Sequence, residues 1–306
     1  MRPHLNLTGA VAACALGLSA CGGGDDSPGS EARAGDAARP GARPVLCADL
    51  RMRETGTIET PEATELSGLA ISRSQRGVLW THNDSGDVAR LFAVNTRGRL
   101  LSEVAVSGAA ATDWEDVAAG RGAVYVADIG DNGAQRPEVV VYRVPEPRVK
   151  GAPALTVDAR SLVLRYPDGA HDAEALLVSP SNGALLVVTK DFSGRAGVYA
   201  ARQRGTGVRT LRRVARIALG GGEAVTAGDI SADGRIIAVR TYFRAYVWKR
   251  KRGETIAEAM RRKPCAAAAD LFDEGQGEAL ALTRNGGAFY TVPEGGRPPI
   301  RRYSPR

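Results

Sequence analysis

Short apolar runs separated by turns recur five times along the 306-residue chain, and each copy opens on a polar or acidic cluster. The clearest copy is Asp113-Trp-Glu-Asp-Val-Ala118 followed by Ala123-Val-Tyr-Val-Ala-Asp128. The others open at Glu65-Leu-Ser-Gly-Leu-Ala70, Asp172-Ala-Glu-Ala-Leu-Leu177, Thr226-Ala-Gly-Asp-Ile-Ser231 and Gln276-Gly-Glu-Ala-Leu-Ala281. A turn then leads to a second apolar run, at 78–81, 124–127, 185–189, 236–240 and 288–292. Residues that tolerate positive φ, as in Ser181-Asn-Gly183 and Asn285-Gly-Gly287, suit these tight hairpins. Third strands are expected at 90–95, 139–144, 196–201, 244–249 and 300–303, and fourth strands at 101–106, 161–165 and 214–219. A repeat of about 50 residues, each a small antiparallel sheet, predicts one circular all-β domain: a single β-propeller of five or six four-stranded blades. The second repeat is the longest, and 156–165 leaves room for extra strands, so the blade number stays open.

Two segments depart from the repeat. A β-prone patch around 55–58 precedes the first copy. A strand there can complete the last blade and close the ring, which removes most of the exposed edge. Residues 255–263 predict a short helical insertion. Thr255 and Glu258 match a capping box, Ile256, Ala259 and Met260 make one apolar face, and Pro264 ends it.

The chain begins with Arg2 and a short apolar stretch over 5–18, the pattern of a secretory leader. Leu18-Ser-Ala-Cys21 resembles the bacterial lipobox, so 1–20 is expected to be a lipoprotein signal peptide and Cys21 to carry lipid. Residues 21–44 are rich in Gly, Ser, Ala, Pro, Asp and Arg and have no aromatic residue, which predicts a lipid-anchored, disordered tether. The propeller then spans 45–306. No later stretch is long and apolar enough to cross a bilayer as a helix. The expected location is extracytoplasmic, anchored to a bacterial membrane through the lipid on Cys21. Of four cysteines, Cys14 falls in the leader and Cys21 takes lipid, so Cys47 and Cys265 are expected to form a disulfide.

The formal charge is +7, with the excess gathered at Lys249-Arg-Lys-Arg252, Arg261-Arg-Lys263 and 297–306. This reads as a solvated basic rim. Aromatic-interleaved basic motifs and recognition-helix patterns are absent, so no nucleic acid partner is expected. Nor does the sequence carry a Gly-x-Ser-x-Gly nucleophile, a metalloprotease helix or a phosphate-binding glycine loop. A monomer is expected.

The first and second strands of each repeat form a hairpin, so the start of one and the end of the other share one end of the blade. In a propeller the first strand lines the central channel. The opening clusters supply Glu65, Asp113, Glu115, Asp116, Asp172, Glu174, Glu223, Asp229 and Glu278. The ends of the second strands supply His82-Asn83-Asp84, Asp128, Asp131-Asn132, Lys190-Asp191 and Glu294. A basic protein is therefore expected to have an acidic channel mouth. Such carboxylates repel one another unless a cation or basic side chains lie between them. An all-oxygen donor set suits a hard cation, calcium rather than zinc. A second reading has these acids capping strand ends or bonding backbone N–H groups of the neighbouring blade. His82 and His171 read as structural hydrogen-bonders, Trp80 and Trp248 as core, and Trp114 as core or, in a second reading, a stacking platform for a sugar or other ring.

The motifs Ser67-Gly-Leu-Ala70, Leu79-Trp-Thr-His-Asn-Asp-Ser-Gly86, Asp113-Trp-Glu-Asp-Val-Ala118, Ala127-Asp-Ile-Gly-Asp-Asn132 and Gln276-Gly-Glu-Ala-Leu-Ala281 resemble a group of secreted bacterial β-propeller lipoproteins. That group lies near the esterase-like phytase and gluconolactonase-type propellers, and the resemblance covers about 65–303. It implies a calcium or other divalent cation held by Glu65, Asn83, Asp84, Asp128 and Asp131. The expected function is a binding or scaffolding module at the cell envelope, holding a small-molecule, polymer or protein ligand at the channel mouth. The alternative is a divalent-metal-dependent hydrolase of phosphoesters or lactones, which calls for Lys190, Arg240 or Arg244 to point inward beside the cation.

Overall fold

A computed structural model describes residues 43–306. The expected leader, Cys21 and the expected tether as far as residue 42 lie outside the described residues. Strand β1 (Leu50–Thr57) comes first, after a 3-10 turn at Val45–Cys47. The first repeat gives β2 (Leu66–Ile71), β3 (Val78–Asn83), β4 (Arg90–Asn95) and β5 (Leu100–Ser107). The second gives β6 (Trp114–Gly120), β7 (Ala123–Asp128), β8 (Val139–Pro145), β9 (Ala154–Asp158) and β10 (Arg160–Arg165). The third gives β11 (Ala173–Val178), β12 (Leu185–Thr189), β13 (Arg195–Ala201), β14 (Arg209–Thr210) and β15 (Arg212–Ala218). The fourth gives β16 (Val225–Ile230), β17 (Ile236–Thr241), β18 (Ala245–Lys249), helix α1 (Ile256–Met260) and β19 (Cys265–Ala266). The fifth gives β20 (Gly277–Leu282), β21 (Phe289–Pro293) and β22 (Pro299–Pro305). The strands form five sheets, so the propeller has five blades.

Five separate apolar cores lie between adjacent blades, one per interface, so the ring has no single centre of packing. The inner strands β6, β11, β16 and β20 are buried at every residue, because neighbouring blades cover both faces. That is why they read as continuous small or apolar runs rather than alternating ones. Trp80 and Trp114 fill the interface between the first two blades, and Trp248 fills that between the third and fourth.

Ring closure follows the expected route. β1 pairs antiparallel with β22 and completes the fifth blade from the other end of the chain. The Cys47–Cys265 disulfide ties the segment before β1 to the outer strand of the fourth blade. Other edges are covered by exchange. β9, from the second repeat, adds to β5 of the first blade in parallel, and β14, from the third repeat, adds to β10 of the second. Two blades therefore have five strands rather than the expected four, and 156–165 holds the end of β9, which covers the edge of the first blade, and β10, the fourth strand of the second, not a sixth blade. Helix α1 has the capping box read from Thr255 and Glu258. It packs in the apolar core between the third and fourth blades, through Ile256, Ala259 and Met260. Among the described residues no helix is long and apolar enough to cross a membrane.

Candidate functional site

The acidic mouth is built by a defect repeated in the inner strands. Pairing of β6 with β7 jumps from Trp114 to Asp116, of β11 with β12 from Ala173 to Ala175, and of β20 with β21 from Gly277 to Ala279. The residues left over are Glu115, Glu174 and Glu278. A bulge leaves its extra residue out of the ladder and re-aims its side chain. Here the three glutamates come together around the start of the inner strands. In β16 the same bulge holds Thr226, whose hydroxyl donates to Gly277 O at 2.9 Å. The first blade has an irregularity between Ser67 and Ala70, and Ser67 Oγ donates to Glu115 O at 2.6 Å. Gly68, at φ +70°, sits in that bulge 2.6 Å from Val117 N, measured from where a Cβ would stand, so any side chain would collide with the second blade.

Four further carboxylates join the glutamates. Asp84, Glu278 and Glu294 form one group, Asp84, Asp113 and Glu115 a second, and Glu115, Asp172 and Glu174 a third, with one oxygen from each member within 4.8 Å of the others in its group. The shared members Asp84 and Glu115 link these into an arc across blades five, one, two and three. Lys190 and Tyr242 close the arc. Lys190 Nζ pairs with Glu174 and lies 5.6 Å from the centroid of the Tyr242 ring, and Tyr242 Oη donates to Glu278 at 3.0 Å. Glu65 is exposed beside the arc, close enough for its charge to act on Asp84 and Glu294.

One ammonium does not balance so many carboxylates. Burial, then the charges of Glu174 and Asp84, push Glu115 up to about 12. Burial raises Glu174 to about 8 although Lys190 opposes it. Glu294 is raised to about 8 by burial and by its hydrogen bond with Glu278, and Asp84 to about 6 by burial and by Glu278 and Asp113. Burial works against the Lys190 ammonium, but Glu174 and Tyr242 outweigh it and hold its pKa above the ordinary value. Two oxygens in the arc, Glu174 Oε2 and Asp84 Oδ1, are buried with no hydrogen-bond partner. Glu174 has 2 % of its side chain exposed, so water does not satisfy that oxygen readily.

Other residues expected at the mouth do different work. Asp116 accepts from Val117 N and Leu176 N at 2.8 Å each and from Gly228 N at 3.3 Å, so it stitches the second blade to the third and fourth. Asp128 accepts from Asp113 N and pairs with Arg136 at 2.7 Å. Asp131 accepts from Gln135 N and Arg136 N, and Asn132 is an exposed turn residue. Asn83 accepts from Thr64 N and Glu65 N and donates to Asp87. Asp172 accepts from Asp131 N with one oxygen while also belonging to the third carboxylate group. Glu223 is held by Thr241 and Arg244, and Asp191 caps its own turn. His82 is buried on the edge of Trp114, with its pKa lowered to about 4 by burial, and His171 bonds Asp168 and Tyr199 on the third blade.

The fourth repeat is corrected in register. Ala224, not Thr226, occupies the position of Asp113 and Asp172, since the bulge falls at Thr226. Asp229 therefore lies deep in the channel rather than at the mouth. It accepts from Leu282 N at 2.8 Å and meets Arg73 at 3.4 Å. A slip of two residues leaves every side chain on its original face, so the alternation of the sequence could not expose it.

Of the three candidate cations, only Lys190 joins the arc. Arg240 is fully buried against Glu274 and Ala279 O, and Arg244 is 58 % exposed against Glu223. Sequence reasoning passed over the aromatic rim beside Lys190. Tyr242 and Phe243 sit on the β17–β18 loop, and Phe243 stacks on Phe272 with ring centroids 5.8 Å apart. Phe243 and Phe272 are exposed, as is Phe192 on the β12–β13 loop at the same end of the blades. Single aromatic residues in loops leave no periodic signal; only solvent exposure in the folded chain marks them.

No protein-family model and no curated protein matches the chain. Among solved structures it is similar to U3-55K, with 13% identity over 78% of this chain and 67% of that one and a TM-score of 0.37. It is also similar to the β-propeller domain of Cps50 (Swd1) from Myceliophteria thermophila, with 11% identity over 83% of this chain and 99% of that one and a TM-score of 0.45. Such distant likenesses concern the fold alone. The chain is an all-β, five-bladed β-propeller by its own strand pairing.

Proposed function

We propose that this chain is a lipid-anchored, extracytoplasmic binding module whose acidic mouth holds a hard divalent cation, calcium, and uses it to grip an oxygen-rich ligand. The observation that carries the reading is the linked set of carboxylates around Glu174, whose Oε2 is buried without a partner. The donors are all oxygen, as calcium prefers. Glu115, Glu174 and Asp172 would hold the ion, with Asp84, Asp113 and Glu278 beside them. The exposed rings of Phe192, Phe243 and Phe272 supply a flat apolar rim for a sugar or peptide ligand. The disulfide supports an oxidising compartment.

A second reading, a metal-dependent hydrolase of phosphoesters or lactones, draws on Lys190 and Tyr242 at the same mouth. The ion would activate water and offset charge on the substrate. Lys190 would orient an anionic group, and its pairing with Glu174 would have to be shared with that group.

The test is the melting temperature of the full chain after chelation and with calcium restored. Calcium at about 100 times its dissociation constant should stabilise the fold by roughly 2.7 kcal/mol. Glu115→Gln and Glu174→Gln should abolish the rise. No response to calcium or to any other divalent ion would refute the cation site. Turnover of a phosphoester or lactone that needs calcium and Lys190 would move the assignment to the hydrolase.

A further inference from the structure

The opposite mouth of the channel is basic. A cavity of about 590 Å³ there is lined by Arg73, Arg121, Arg143 and Arg284, with Tyr125 and Gln203. A volume of this size falls within the ordinary range for small-ligand sites. The four arginines come from three repeats, the first, second and fifth. Arg73 lies on the β2–β3 turn, Arg121 on the β6–β7 turn, Arg143 on β8 and Arg284 on the β20–β21 turn.

Three observations make this more than a charged rim. Arg73 crosses the channel floor, donating to Ala119 O at 3.2 Å and Ile230 O at 2.8 Å and meeting Asp229 at 3.4 Å. Its Nη1 is nevertheless buried and unpartnered. Arg284 donates to Arg73 O, which fixes the two relative to one another. Arg121 adopts φ +54°, one of only three non-glycine residues at positive φ among those described. A strained backbone at a long cationic side chain is a reason to ask what the side chain is for. The carboxylates near this end are engaged. Asp229 is held by Leu282 N and Arg73, Glu146 by Ser72, Ser74 and Trp80, and Asp233 by Ser231 and Arg235.

We infer that this basic mouth is a phosphate-anion site, separate from the acidic mouth. Guanidinium groups present forked donors that match phosphate oxygens. The shared chemistry has two sources, a free phosphate-bearing molecule and an anionic phospholipid headgroup. The second is within reach of the fold, because the chain enters at this end. Leu50 pairs with Pro305, the end of β22 nearest the β20–β21 turn, so β1 starts on the basic side.

The experiment titrates inorganic phosphate into the full chain at constant ionic strength. In parallel it compares sedimentation with phosphatidylglycerol vesicles and with phosphatidylcholine vesicles. Any lipid on the protein contributes to both vesicle types, so the difference reports the headgroup. Two variants are used, Arg143→Gln and Arg121→Asn. Arg121→Asn places a residue that tolerates positive φ in the turn, so its melting temperature should be at or above that of the parent. Each variant should weaken binding by about tenfold. Loss of phosphate binding with no headgroup preference assigns a free ligand, and loss of the phosphatidylglycerol preference assigns the membrane surface. Absence of both bindings in the parent, or binding unchanged in both variants, overturns the site. Calcium binding is read separately, so this result is independent of the acidic mouth.

Discussion

The two mouths of the channel are made from opposite ends of the same five inner strands, yet they are built by different means. At the acidic mouth Glu115, Glu174 and Glu278 belong to the strands and bulges fix where they stand, while Asp84, Asp113, Asp172 and Glu294 each lie one residue beyond a strand end. At the basic mouth the charges sit mainly on turns and reach inward on long side chains. Short carboxylate side chains must be placed by the backbone, whereas arginine can be placed by reach. The acidic mouth is therefore the more rigid and geometrically demanding of the two, as a cation site requires. The basic mouth is adaptable, and its specificity rests on charge and on the fork of the guanidinium. The formal charge of +7 conceals this separation.

The sharpest way to break the comparison is to cut what lies between the mouths. Asp116 is acidic but belongs to neither end; it accepts three backbone N–H groups from three blades. Asp116→Ala leaves those buried donors unpaired, at a cost of about 1–3 kcal/mol each before relaxation. Chemical denaturation should show a loss of about 3–5 kcal/mol. A loss below about 1 kcal/mol would mean that the blades are held by their apolar interfaces alone.

The acidic end has its own signature in pH. Glu115, Glu174, Glu294 and Asp84 all bind protons more tightly in the folded chain than in the unfolded one. The folded state then carries more protons, so stability is full below the unfolded carboxylate range and falls as pH rises. In chelator, the melting temperature should decline from about pH 5 to above pH 8. Asp84 and Glu294 are partly open to solvent, which screens their share of the loss, so most of it falls on the buried Glu115 and Glu174. Calcium should flatten the slope, because the ion replaces the protons, and Glu174→Gln should flatten it without calcium. A chelated protein whose stability rises over this window would mean that the carboxylates are already neutralised by basic neighbours.

Much of the architecture was legible in the sequence because it rests on local patterns. Hairpin turns, the capping box at Thr255, the closing strand before Glu65 and the two spare cysteines each carry their own signal. The acidic mouth was half legible. The opening clusters at Asp113, Asp172 and Gln276 align, and the shared glutamate two residues on is the bulge residue in all three. The fourth copy failed because Thr226 holds the glutamate position, and a slip of two residues preserves alternation. Asp116 and Asp229 look like site residues in sequence but serve as inter-blade acceptors; backbone N–H partners on the neighbouring blades, not residue type or burial, separate the roles. The basic mouth was illegible. Arg73, Arg121, Arg143 and Arg284 each read as an isolated surface charge, and only ring closure brings 73 beside 284. The charge runs that do stand out, at 249–252 and 261–263, flank α1 on the outside of the ring.

The smallest expected effect tests whether the basic mouth is built for a ligand or for stability. Arg121 and Gly122 both have positive φ, +54° and +73°, in the tight turn between β6 and β7. A side chain such as arginine is disfavoured in this conformation by about 1–2 kcal/mol, and asparagine much less so. Arg121 recovers part of that through two long hydrogen bonds, 3.3 Å each, to Pro180 O and Ser181 O. Arg121→Asn should therefore raise stability by about 0.5–1 kcal/mol in urea denaturation while leaving the response to calcium unchanged. A fall in stability would make the contacts to the third blade the reason for arginine, and the strain would then report packing. A rise, together with weaker phosphate binding, would mean that the chain gives up stability at this turn to keep a cation at the basic mouth, as expected of a residue retained for its ligand.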